Sequence, residues 1–290
     1  MSAIIIALVT CLDRPAIDAD DEPLRSALLA RGVGVEARAW DDPTVDWASL
    51  DLCVIRSTWN YHHRRDAFVA WAADLSTTTR LWNPFGLIQW NTHKGYLRDL
   101  EQNGIPIIPT LWLPRHSSVD LKTALAERRW SQAVVKPAIS ASAHKTILVT
   151  DGSLAEGQAH MDDLLMTKDA MVQPFVPSVR TSGERSLMVI DGVLAHTILR
   201  RPKLPADEAG TWDVLIAPED DEIALASAVL RLVSPAPLYA RVDVVRDGEG
   251  QVRLMELELV EPSLFLTQAP ASARRFADAI IARVSVGKLA

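Results

Sequence analysis

Three carboxylates toward the end of the chain stand at spacings that could hold a cation. Asp243 lies in the apolar run 239–246, and Glu256 and Glu258 lie two apart in the run 252–259. In extended chain, residues two apart share a face, so Glu256 and Glu258 point one way while Met255, Leu257 and Leu259 point toward a core. Between the runs, Asp247-Gly248-Glu249-Gly250 is a hairpin signal. If residues 247–250 are the turn, Arg246 pairs with Gln251, and Asp243 falls diagonal to Glu256 on the face it shares with Arg241. Carboxylates gathered this way repel one another unless positive charge sits among them. Hard divalent cations such as magnesium take such oxygen ligands, commonly together with substrate phosphates. A polar, solvent-facing sheet with Arg241 as counter-ion fits the same pattern, and the segment alone leaves both readings open.

Residues upstream could serve an anion. Lys136 ends the apolar run Ala133-Val134-Val135 before Pro137, where an ammonium can meet an anion or reach solvent. The run 138–145, which includes Ser142, is mostly small residues, and these let backbone N–H groups approach phosphate oxygens. Farther on, 171–176 is extended and interrupted by Pro174. Its backbone at Gln173, Phe175 and Val176 could pair with an adenine and Glu184 could accept ribose hydroxyls; an ordinary strand and a surface acid read equally well. At expected strand ends near the start, Thr10 and Arg56-Ser57-Thr58-Trp59-Asn60 could meet a substrate. Arg56 suits a bidentate grip on a carboxylate, with Ser57 and Asn60 adding hydrogen bonds. Glu261 and Ser263 follow the carboxylate run and could contact an amino group. His62-His63 reads as a solvated loop pair, because no third metal ligand lies nearby in sequence.

The elements that must position these groups fall into three regions. In residues 1–90, strands at 3–10, 33–40, 51–56 and 80–82 alternate with helices at 23–31 and 64–75. That alternation implies βαβ units and a parallel sheet, with ligands beyond the carboxyl ends of its strands. In 91–172, a helix at 92–102 precedes an extended stretch at 107–113. A helix at 121–129, strands at 133–136 and 146–149, a helix at 153–166 and a strand at 170–173 follow. The region 173–290 is strand-rich, at 186–190, 193–200, 239–246 and 252–259, with helices at 220–233 and 272–284. The stretch 201–217, with prolines at 202 and 205, is expected to be a mobile loop over a site.

Composition narrows the function classes. With 48% hydrophobic and 23% charged residues in a chain of 290, a soluble globular protein is expected. The net charge of −7 argues against a broad basic face for nucleic acid. No apolar run is long enough to span a bilayer, and the apolar start lacks the basic flank of a leader. The two cysteines, Cys11 and Cys53, make no disulfide framework, so a reducing cytoplasm is the expected location. The first strand runs into Cys11-Leu12-Asp13-Arg14 rather than a G-x-G-x-x-G turn, which disfavours a dinucleotide-dependent dehydrogenase.

The order of features resembles the ATP-grasp ligases over residues 83–284. It runs Asn91-Thr92-His93-Lys94, Val135-Lys136-Pro137, the small-residue loop, Gln173-Pro174-Phe175-Val176, Gly183-Glu184-Arg185, Arg200, Asp243 and Glu256-Leu257-Glu258. Residues 1–90 resemble the Rossmann-like preATP-grasp domain that normally precedes that fold. The resemblance implies an α/β architecture of two α+β subdomains clasping ATP, with ATP and magnesium as cofactors. Lys94 and Lys136 would clamp the nucleotide, the loop 138–145 with Ser142 would cover its phosphates, and Gln173, Phe175 and Val176 would form the adenine hinge. Glu184 would hold the ribose. Arg200, with Lys203 nearby, would stabilise the transferring phosphoryl charge, and Asp243, Glu256 and Glu258 would bind magnesium. Two departures stand out: the phosphate loop lacks glycine, and Glu258 stands where many relatives have Asn.

More narrowly, IRSTWNY, WNTHKGYL, VVKPAISASAH and ELELVEPSLFL resemble the D-cycloserine synthetase group, the O-ureido-D-serine cyclo-ligases. This implies a small amino-acid-like substrate whose carboxylate is phosphorylated and then attacked by its own aminooxy nitrogen. A ligase joining an amino-acid carboxylate to an external amine is the alternative within the same superfamily. A nucleotide-binding protein without turnover is disfavoured by the complete carboxylate set. No nucleic-acid or membrane partner is expected, and a homodimer stays open.

Overall fold

The computed structural model describes residues 4–141, 144–201 and 212–285. Its first sheet forms from β1 (Ile5–Thr10), α1 (Glu22–Leu29), β2 (Gly34–Ala39), β3 (Leu52–Ile55), α2 (Arg65–Thr78) and β4 (Arg80–Trp82). The strands are parallel, in the order β2-β1-β3-β4. The central pair, β1 and β3, is almost wholly apolar because both of its faces are covered, while the edge strand β2 carries Glu36 and Arg38. Ile6, Leu8, Leu52 and Val54 pack toward Leu24 and Leu28 of α1. Ala7, Val9, Cys53 and Ile55 pack toward Phe68, Ala72 and Leu75 of α2. Both cysteines are free and buried.

The helix expected over 92–102 is shorter, and a separate helix that was not expected precedes it: α3 (Phe85–Asn91), then α4 (Tyr96–Gln102). Their separation has a local cause. The Lys94 amide donates to the Ala138 carbonyl at 2.8 Å, and the Gly95 amide donates to His93 Nδ1 at 3.0 Å, so neither bonds back along a helix. A second, antiparallel sheet follows, from β5 (Leu111–Leu113), α5 (Leu121–Glu127), β6 (Ala133–Pro137), β7 (Ile147–Val149), α6 (Leu154–Leu165) and β8 (Ala170–Pro174). Its order is β5-β8-β6-β7, backed by Leu121, Leu125, Met161, Leu164 and Leu165 of the two helices.

The third sheet belongs to a segment that begins with α7 (Ser178–Thr181), β9 (Glu184–Ile190), β10 (Val193–Arg201) and β11 (Trp212–Ile216). It continues through α8 (Asp220–Arg231), β12 (Tyr239–Arg246), β13 (Val252–Glu258) and α9 (Pro270–Ser285). Its order is β11-β10-β9-β12-β13. The long loop expected over 201–217 is therefore shorter, because Val214 and Asp213 pair with Leu199 and Arg200. Lys203 and Ser142 lie outside the described residues.

The β12–β13 register differs from the one read off the sequence, and the difference cancels. The turn takes one more residue, so Arg246 faces Val252 rather than Gln251. A bulge then opens between Asp243 and Val244, whose partners are Glu256 and Leu254, and Met255 is the extra residue. Either shift alone would turn the carboxylates to opposite faces; together they restore the face. Asp243 ends directly opposite Glu256, not diagonal to it, and Arg241 opposite Glu258. Met255 does not join Leu257 and Leu259 in the main core; it packs with Ile108, Val179 and Val245.

β13 is a sheet edge, and side chains satisfy its outer backbone. Asn91 donates to the Leu257 carbonyl and accepts from the Leu259 amide, while the Leu257 amide donates to the Tyr96 hydroxyl. Asn83, fully buried, accepts from the Leu238 amide at 2.7 Å and donates to the Tyr239 and Leu259 carbonyls at 2.9 and 2.7 Å. Asn83→Ala leaves these backbone groups unpaired in the core and is expected to lower stability by about 2–4 kcal/mol, read by urea unfolding.

Candidate active site

The three carboxylates converge as expected from their types. Asp243, Glu256 and Glu258 bring oxygens within 4.8 Å of one another on the β12–β13 face. Two cations already sit among them. Lys94 ion-pairs with Glu256. Arg241 binds Asp243 through Nε and Nη2, both at 2.9 Å, and also pairs with Glu258. The Ser186 hydroxyl donates to Asp243 at 2.5 Å. Burial pushes the Glu256 carboxyl up, but Lys94 and Lys136 outweigh it and hold the group well below the ordinary range. Glu258 goes the other way: burial and the neighbouring Glu256 and Asp243 raise it despite Arg241. An all-oxygen set with nearby lysine and arginine matches the donor chemistry of magnesium, and the residues fit that ion.

The nucleotide-side candidates surround this face. Lys136, on β6, is held down at about 8, chiefly by desolvation, with Lys94 adding to it and Glu256 and Glu184 only partly offsetting. A buried ammonium compensated this incompletely fits a polyphosphate. Glu184 opens β9 and pairs with Arg200 at 2.8 Å; burial, with Asp243 and Glu256, pushes its carboxyl up. Arg200 also approaches Asp243 at 3.9 Å and lies over the Phe265 ring. Gln173 donates to the Thr110 hydroxyl at 2.9 Å. Two parts of the expected adenine hinge are already engaged: the Phe175 amide donates to the Gln132 carbonyl, and the Val176 carbonyl accepts from Val179.

On the substrate side, the segment after β3 meets the segment after β13. Trp59 Nε1 donates to the Glu261 carbonyl at 3.1 Å, and Arg56 Nη2 donates to the Pro262 carbonyl at 2.8 Å. Arg241 Nη1 reaches the Ser263 carbonyl at 3.3 Å. Three of the sequence expectations need correction. Arg56 cannot grip a carboxylate bidentately, because Asp21 takes Nε at 2.8 Å and Pro262 takes Nη2; only the buried Nη1 has no partner among the described residues. Asn60 braces its own loop, accepting from Trp40 and donating to Asp13 and Asp41. Thr10 is fully buried and donates to the Pro15 carbonyl. The hydroxyls of Ser57 and Thr58, also buried, lack partners among the described residues. A buried polar atom left unpaired costs about 1–3 kcal/mol, so three neighbouring ones at the end of β3 form a locally costly cluster.

Arg241, Asn91 and Tyr96 were not among the expected site residues. Arg241 was legible as a counter-ion; Asn91 and Tyr96 carry no sequence signal for a task that only the edge position of β13 creates.

Comparison with known proteins places the chain in a family. The family model described as D-cycloserine synthetase DcsG, N-terminal domain, matches residues 6–83. Cycloserine biosynthesis protein DcsG of Streptomyces lavendulae is 36% identical over 298 residues, spanning 97% of this chain and 99% of that protein. The chain belongs to the DcsG family. The crystal structure of D-cycloserine synthetase DcsG superposes with a TM-score of 0.89 at 33% identity, covering 97% of this chain and 100% of that one. A D-alanine–D-alanine ligase from Bacillus anthracis, complexed with ATP, shares the fold at a TM-score of 0.70 and 14% identity, over 98% of this chain and 97% of that one. The DcsG-family chain thus has the ATP-grasp fold and is an ATP-dependent ligase. Among the described residues no helix is long and apolar enough to cross a membrane.

Glu261 gives this site a pH signature. Burial, with Glu258 next, pushes its carboxyl from an ordinary value of 4.5 to about 8. The folded chain therefore keeps this proton where the unfolded chain has lost it. The stabilising contribution is complete below about 4.5 and disappears as pH rises through about 8. Glu261→Gln, which stays neutral, is expected to flatten the decline of unfolding free energy across that window, measured by urea titration in magnesium-free buffer.

Proposed function

We propose that this chain uses ATP to activate the carboxylate of O-ureido-D-serine and closes it to D-cycloserine. The carrying observation is the β12–β13 face, where three carboxylates and Arg241 stand beside Lys94 and Lys136, with Arg56, Ser57 and Thr58 joined to the end of the same strand through the Pro262 carbonyl. In the first step a substrate carboxylate oxygen attacks the γ-phosphorus and ADP leaves. The aminooxy nitrogen then attacks the acyl carbon, phosphate leaves with the carboxylate oxygen, and a five-membered ring closes. Water removes the ureido carbonyl as carbon dioxide and ammonia.

Each residue has a task in this reading. Asp243, Glu256 and Glu258 would hold magnesium, which when bound supplies positive charge to the phosphates. Lys94 and Lys136 bring positive charge to the phosphate oxygens, and Arg200, with Lys203, to the transferring group. Glu184 and the segment around Gln173, Phe175 and Val176 hold the nucleoside end, and Ser142 belongs to the loop over the phosphates. Arg241, between the carboxylates and the Ser263 carbonyl, is suited to the charge that develops on the acyl oxygen. Arg56 Nη1 and Ser57 orient the substrate, and Glu261, protonated below about 8, can donate to it. Attack within one molecule needs a single substrate pocket, because the tether supplies the effective concentration.

Phosphate release with magnesium and ATP tests the ligase reading. Release with O-ureido-D-serine alone, and product mass for the cyclic amide, are the expected results. Release only when a second amine is added would replace ring closure by intermolecular ligation, and no release with any amino-acid-like carboxylate would sink both. Glu256→Gln, which leaves Lys94 without its carboxylate, should melt at a lower temperature but stay folded, and lose about 10²–10⁴-fold in turnover, the equivalent of the several kcal/mol a metal contributes.

A further inference from the structure

His62 and His63 find a third imidazole far along the chain. They end the segment after β3, as part of a short helical turn at Tyr61–His63, and His144 comes from the loop between β6 and β7. One ring nitrogen from each lies within 4.8 Å of the others. The ring centroids of His62 and His63 are 3.9 Å apart, and those of His144 are 5.0 and 5.2 Å from them.

His62 is prepared as a ligand. It is 8% exposed, and its Nδ1 lies 2.9 Å from the Trp59 carbonyl, which can only accept. That contact puts the proton on Nδ1 and leaves Nε2 with its lone pair free. Nε2 is buried and has no partner among the described residues. A ring nitrogen bonded to a backbone carbonyl, with the other nitrogen presented bare, is the arrangement that orients metal-bound histidines. Lys168 and Lys145 act on His144 electrostatically.

We propose that His62, His63 and His144 form a binding site for a transition-metal ion of the zinc class. Three imidazoles suit zinc, copper or nickel rather than magnesium, and would leave a fourth position for water. Tetrahedral ligands at about 2.1 Å stand about 3.4 Å apart, so a small rotation of the more exposed His63 and His144 rings closes the set. His144 is held for this: its amide donates to the Ala141 carbonyl, and the next residue, Lys145, is fastened to α6 through Asp163 and His160. Lys168 and Lys145 oppose the ion's charge, which tempers its affinity. A bound ion would join the segment after β3 to the loop after β6, and it is a different site from the oxygen set of Asp243, Glu256 and Glu258.

Zinc binding by the full, tag-free chain in excess magnesium tests the proposal, by calorimetry and by metal content after dialysis. One equivalent of zinc is expected, with affinity falling at least tenfold in His144→Ala and in His62→Asn, and unchanged in Glu256→Gln. Asn at 62 keeps a donor for the Trp59 carbonyl, and melting curves identify a variant that fails to fold. Cobalt should give the visible absorption of a tetrahedral nitrogen-rich site, lost in His144→Ala. Absence of stoichiometric zinc, or binding that survives His144→Ala but falls in Glu256→Gln, would overturn it.

Discussion

Everything in the site follows from the repulsion among Asp243, Glu256 and Glu258. Three carboxylates on one sheet face, partly out of water, are tolerable only with cations among them. Arg241 answers from the same face, pairing with Asp243 and Glu258. Lys94 answers from outside the sheet, pairing with Glu256 from a position that is not helical. That position lies in the break between α3 and α4, where the Lys94 amide bonds to Ala138 instead of a helical carbonyl. One residue thereby ties the carboxylate face to the loop after β6. Glu258 adds a charge where many ATP-grasp ligases have Asn, and Arg241 stands directly across from it.

Where the carboxylates point is decided by register, which is sensitive to single residues. The longer turn at 247–251 and the bulge at Met255 each move β13 by one residue against β12. Neither is tolerable alone, since each would turn Glu256 and Glu258 into the core that holds Leu254, Leu257 and Leu259. The bulge and turn therefore act as a matched pair. Asn91, Tyr96 and Asn83 fix the outcome from outside, by bonding to backbone groups at defined positions around β13.

What was legible in the chain was whatever rests on period or composition. The central parallel strands β1 and β3, buried on both faces, read as continuous apolar runs, and the alternation at 254–259 put Glu256 and Glu258 together. The motif order placed Lys94, Lys136 and Glu184 in one neighbourhood. What escaped depends on distant partners. The extra residue in the hairpin was invisible because alternation survives a shift of two. Arg56 looked like a free fork, since nothing near it in sequence reveals that Asp21 fills one side. His62 and His63 looked isolated because their neighbour His144 is brought in by a different sheet. Strand 212–216 was hidden behind the prolines at 202 and 205.

The two halves of the site place different demands on the chain, and the fold meets them with different sheets. Charge clustering needs side chains repeating on one face at strand spacing, which the antiparallel β12–β13 pair provides. Small polar recognition needs groups converging at a point, which the carboxyl ends of parallel strands provide. The two demands join where Pro262 and Ser263 lie between Arg56 and Arg241, each guanidinium bonded to a backbone carbonyl of that short segment. Asp20 braces the same segment by accepting from the Leu264 and Phe265 amides, and Asp21 beside it holds Arg56. The turn carrying Asp20 and Asp21 therefore fixes the distance between the two halves. In the proposed reaction the substrate carboxylate lies within reach of both halves, so the accuracy of that distance rests on two acids that need touch neither substrate nor nucleotide.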